Sequence, residues 1–126
     1  MRILDWAARA IAAAILLQTL YFKFLGAPES VFIFSELGVE PWGRFAAGGF
    51  ELIAAVLLLV PATAWAGALL AIGLMSGAIL SHVFVLGIEV QNDRGTLFVL
   101  AILVLLASLK TLIVHRREIP GLGRRD

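Results

Sequence analysis

No cysteine occurs in the 126 residues of this chain. That absence excludes thiol–disulfide chemistry, iron–sulfur ligation and thiolate–zinc sites. Charge is scarce too. Charged residues are 15% of the sequence, against about 25% in a typical soluble domain. The net charge of +1 gives no basic balance for nucleic acid. The chain also lacks a glycine-rich phosphate loop, an HExxH pair and a Ser-His-Asp order, the patterns of nucleotide binding, zinc proteolysis and serine hydrolysis. Its two histidines, His82 and His115, fall at opposite ends of the predicted spans, so they cannot share one haem or metal.

What fills the sequence is apolar. Hydrophobic residues make up 61% and the mean hydropathy is +0.99, where soluble domains run at about 45–50% apolar. The length fits one domain. The pattern predicts an all-α integral membrane four-helix bundle, with spans at about 6–25, 45–60, 64–86 and 95–114. Each approaches the roughly 20 residues a helix needs to cross hydrocarbon. The second is short, and an earlier start near Trp42 would add an interfacial anchor. The runs lack the alternation of barrel strands. The first is read as an uncleaved span, because the apolar run continues through Tyr21, Phe22, Phe24 and Leu25.

Basic residues set the orientation. Arg2, Arg9, Lys110, Arg116, Arg117, Arg124 and Arg125, seven of the ten, lie on the side of the two termini. Lys23, Arg44 and Arg94 lie opposite, offset by Glu29, Glu36, Glu40, Glu89 and Asp93. Both termini, with a basic tail at 115–126, are therefore expected in the cytoplasm, with the protein in the inner membrane. Between spans one and two, Pro28 and Gly38 bracket a short amphipathic helix. It lies on the outer interface or packs over the bundle as a lid. Gly48 in span two and the Gly73-Leu74-Met75-Ser76-Gly77 segment in span three predict close helix packing. That packing is equally consistent with contacts inside one bundle or in a homo-oligomer.

Lys23, Glu51 and His82 interrupt the spans. A charge in mid-membrane costs about 2.5–3.5 kcal/mol on insertion scales, so such groups face the bundle interior and pair. The orientation puts all three in the outer half, with Glu51 about 9 Å below the surface and His82 about 6 Å. Gln18, Arg44 and Asp93 lie in the same layer. Lys23–Glu51 and Glu51–His82 are the available pairs, with Glu51 the hub. Each residue also has a structural reading. Lys23 snorkels to the interface, His82 bonds across helices beside Ser81, and Asp93 or Asn92 caps span four. Arg44 and Trp42 serve as interface anchors. The functional reading is a polar pocket open to the outer face. It would handle protons at His82 or hold a quinone headgroup whose tail stays in lipid. No catalytic residue and no metal site is assigned.

The whole chain resembles the DoxX family, in its DoxX-like branch of small four-span membrane proteins. The resemblance rests on Tyr21-Phe22-Lys23-Phe24, Gly26-Ala27-Pro28-Glu29, Phe34-Ser35-Glu36-Leu37-Gly38, Arg44, Gly48 and Glu51-Leu52. It continues through Leu57-Leu58-Leu59-Val60-Pro61, Gly67-Ala68-Leu69-Leu70, Gly77-Ala78-Ile79-Leu80-Ser81-His82, Leu86-Gly87-Ile88-Glu89-Val90, Asp93, Gly95 and Leu97-Phe98. Ala47 stands where relatives often have Ser or Thr, and Arg94 where a Gly commonly follows the Asp. The resemblance implies the same bundle and the same polar positions. It also implies an accessory or anchoring component of a redox or quinone-linked membrane system, working with membrane or redox partner proteins, rather than a stand-alone enzyme. The alternatives are a non-enzymatic membrane chaperone or assembly partner and, more weakly, a small-solute carrier acting as an oligomer.

Overall fold

The computed structural model describes residues 2–88 and 95–119, and within them every regular element is helical. The helices are α1 (Arg2–Leu25), α2 (Pro28–Glu36), α3 (Trp42–Leu59), α4 (Ala64–Ser81) and α5 (Thr96–Val114). Helix α4 continues into a π-helical turn, His82–Leu86. Four of the five are long and apolar enough to cross a membrane, and α2, with nine residues, is not. A lipid bilayer is therefore their environment, since helices satisfy their own backbone groups there. The short second span does begin at Trp42, which gives it 18 residues. Asn92, Asp93, Arg94, Gly123, Arg124 and Arg125 lie outside the described residues.

The four spans form a square. Helices α1 and α4 each pack on both α3 and α5, so α1 faces α4 across the centre. The core is built largely of small side chains: Ala12 and Ala13 of α1, Ala54 and Ala55 of α3, Ala68 and Ala71 of α4, and Ala101 of α5, with Leu16, Leu58, Met75 and Val104 between them. Small residues let backbones approach closely. At Gly67 two helix backbones meet, and a Cβ would sit 2.6 Å from the Leu58 nitrogen. At Gly48 a Cβ would meet the Phe24 ring at 3.1 Å.

Gly73 and Gly77 do not pack in this way. A Cβ at either would meet nothing within 4 Å. The reason is helical phase. Gly67, Ala71 and Met75 form the buried row of α4. Gly73 is two residues past Ala71, about 200° round the helix, and is exposed. The GxxxG of the sequence is thus not a contact inside the bundle.

Helix α2 is fixed at both ends by glycine. After α1, Gly26 takes φ 73° and Ala27 N–H returns to the Phe22 carbonyl at 3.0 Å. Pro28 then starts α2, where its missing N–H goes unmissed. At the far end Gly38 has φ 78°, Gly38 N–H bonds Ser35 O at 3.0 Å and Val39 N–H bonds Phe34 O at 2.9 Å. These are the paired bonds of a Schellman cap. The turns fold α2 back over the bundle, and Ser30, Ile33, Phe34 and Leu37 close the end of its central cavity. The helix packs over the end of the bundle, as the lid arrangement expects.

Candidate functional site

A cavity of about 550 Å³ lies between the four spans beneath α2. That volume is within the range that holds a drug-sized molecule, roughly 300–1,000 Å³. Its walls are mainly apolar, with Ile15, Leu74, Met75 and Leu100 among them. Polar groups are few and specific: Gln18, Thr19 and Lys23 from α1, Ser30 from α2, Glu51 from α3, Ser81 and His82 from the end of α4, and Thr96 from the start of α5.

Glu51 anchors the polar wall. Its Oε2 is 3.1 Å from Lys23 Nζ, and its Oε1 accepts from the Thr19 hydroxyl at 3.2 Å. The two side chains of the ion pair are 16% and 5% exposed, so Lys23 does not snorkel free of its partner. Helical spacing explains the approach: Thr19 and Lys23 are four residues apart on one face of α1. The single Thr19 hydroxyl proton is shared between that oxygen and the Leu16 carbonyl of its own helix, 3.0 Å away. Sequence reasoning missed Thr19. Its only signal is that i,i+4 relation to Lys23, and threonine is unremarkable in a membrane helix.

His82 is buried and lines the same cavity. It does not pair with Glu51. Its Nδ1 bonds the Gly87 carbonyl at 2.9 Å, while Gly87 N–H bonds the His82 carbonyl at 2.7 Å. The widened π turn brings Gly87 back onto the ring, and Gly87 takes φ 86° to do so. Such turns recur at functional sites. Phe98 holds the ring edge-on, with centroids 5.5 Å apart. The Glu51–His82 pair drawn from sequence is therefore replaced by a local backbone contact.

The other polar positions separate. Gln18 lines the cavity and has no polar partner among the described residues. Arg44 is not part of the cavity wall. Its guanidinium meets both carboxylate oxygens of Glu40, one turn earlier, Nε donating to Oε1 at 3.0 Å and Nη2 to Oε2 at 2.8 Å, and it donates to the Lys23 carbonyl. It lies over the Phe45 ring, 4.5 Å from the centroid. Arg44 thus clamps the end of α1 to the start of α3 and supports Lys23 from behind. Asp93 is not described.

A second buried cluster lies at the opposite end of the bundle. Arg9 Nε is 3.2 Å from Asp5 Oδ2, and Arg9 Nη1 donates to the Leu58 carbonyl at 2.9 Å. His115 Nε2 meets the same Asp5 oxygen at 2.9 Å, and the Arg9 guanidinium covers Trp6 at 4.1 Å. These contacts place the start of α1 beside the end of α5. Arg9 is 1% exposed, so it ties helices together and does not anchor at the membrane surface. The i,i+4 spacing of Asp5 and Arg9 was its signal in the sequence.

The model of the family described as DoxX-like matches residues 7–109, a stretch that contains Lys23, Glu51 and His82. No curated protein and no solved structure matches the chain.

Proposed function

Since the chain belongs to the DoxX-like family of membrane proteins, we propose that it is an accessory or anchoring component of a redox or quinone-linked membrane system. In this reading its cavity holds the head group of a small amphiphile, a quinone being one such molecule, and the apolar walls hold the adjoining part of the tail. The observation that carries the reading is the cavity itself. It is apolar for most of its wall and ends at a buried, mutually neutralised Lys23–Glu51 pair. Such a site suits a ligand with one polar end and no net charge.

We place the cavity in the outer half of an inner-membrane protein, with both termini in the cytoplasm. Arg9 contributes less to that orientation than its charge suggests, because it is neutralised by Asp5. Lys110, Arg116 and Arg117 are exposed at the same end and carry it.

Quantifying what leaves the purified protein in organic solvent tests the reading. A near-stoichiometric amphiphile is expected from the wild type and much less from Glu51→Gln. Wild-type protein that carries no small molecule, together with intact cellular activity of Glu51→Gln, would sink it.

A further inference from the structure

The hydrogen-bonding sense of His82 deepens this reading, and the inference rests on the cavity being a ligand site. A backbone carbonyl only accepts, so the Nδ1 that faces Gly87 O at 2.9 Å carries the proton. In the neutral imidazole the other nitrogen, Nε2, is then an acceptor. His82 is 4% exposed, lines the cavity, and its Nε2 has no partner among the described residues. An acceptor on the cavity wall favours a ligand group that donates.

The facing charges narrow the choice further. Lys23 and Glu51 neutralise one another, and Thr19 occupies the second Glu51 oxygen. Each Glu51 oxygen therefore already has one donor. Lys23 has three N–H donors, of which the ion pair uses one, and it welcomes an oxygen acceptor. The ligand that matches both groups is uncharged, with an oxygen that donates at one place and accepts at another.

We infer that the cavity selects an uncharged hydroxyl-bearing amphiphile, a lipophilic phenol or alcohol, whose hydroxyl donates to His82 Nε2 and whose oxygen chemistry complements Lys23. A ligand with carbonyl oxygens alone leaves His82 unanswered, so of the quinone pair it is the reduced quinol, with its hydroxyls, that matches the site. The site thus discriminates by the presence of a hydroxyl proton, a difference that ring size and tail length do not supply.

Two probes of nearly the same shape decide this: para-octylphenol and its methyl ether. Each is titrated against the full-length protein in lipid nanodiscs, with empty nanodiscs as the blank for partition into lipid. The phenol is expected to bind about tenfold or more tighter, since the ether leaves the His82 acceptor unpaired. The preference should vanish in His82→Phe, checked for an unchanged thermal midpoint. The wild-type comparison stands by itself if that variant does not fold. Equal affinities, or a preference for the ether, overturn the hydroxyl assignment and leave the cavity as a ligand site. Absence of binding by both probes overturns the ligand-site reading and the assignment with it.

Discussion

At the scale of single residues, the chain separates charges that stabilise from groups left open to the cavity. Lys23 and Glu51 form a buried pair, and removing one partner strands the other charge. Such losses run at about 3–5 kcal/mol, whereas replacing both partners with apolar groups is often nearly neutral. Lys23→Met is therefore expected to lower thermal stability in detergent by that order. The double variant Lys23→Met, Glu51→Leu should recover most of it while losing ligand. A single variant as stable as the wild type would contradict the pair. The sequence made Lys23, Glu51 and His82 legible because charge in an apolar run is costly wherever it stands. It did not make their partners legible. His82 pairs with Gly87 because the helix widens after Ser81, and nothing in the residue pattern announces a π turn.

At the scale of elements, glycine position matters more than glycine content. The Gly67 Cβ position is occupied by the backbone of α3, so Gly67→Ala forces α3 and α4 apart. Gly73→Ala meets open space. We expect Gly67→Ala to destabilise by about 1–3 kcal/mol and Gly73→Ala to stay within about 0.5 kcal/mol, both read from thermal unfolding. The reverse ranking would refute the helix phase assigned to α4. The residue pattern does not rank these glycines, because a GxxxG spacing does not tell which face of α4 meets a neighbour. The lid is a second case. Gly26 and Gly38 adopt positive φ in caps that set the path of α2. A β-branched residue there is strained by about 1–2 kcal/mol. Gly38→Val should therefore loosen α2, raising hydrogen exchange at Ile33 and Phe34. Unchanged exchange at those amides would show that the cap does not hold the lid. Pro28 and Gly38 marked both ends of this helix in the sequence. Its seat over the cavity needed the fold, since Ile33, Phe34 and Leu37 suit lipid and protein equally well.

At the scale of the whole molecule, the spans were legible as four apolar runs, and their even number put both termini at one end. The Asp5–Arg9–His115 cluster joins those termini directly. The square arrangement and the cavity at its centre were not legible, because they follow from which small faces meet. The absence of cysteine makes orientation easy to measure. A cysteine at Ser35 should react with an impermeant reagent from outside intact cells, and one at Gly123 should not; labelling at Gly123 alone would invert the topology. The central claim is that the cavity is a ligand site. Native mass spectrometry of gently extracted protein tests it most directly, with Gly77→Leu as comparison. Gly77 lines the cavity and has open space where its side chain would grow, so the substitution fills the site without disturbing a helix contact. The account predicts a small bound mass on the wild type that is lost from a folded Gly77→Leu protein. The same bound mass on both proteins, or on neither, would contradict it.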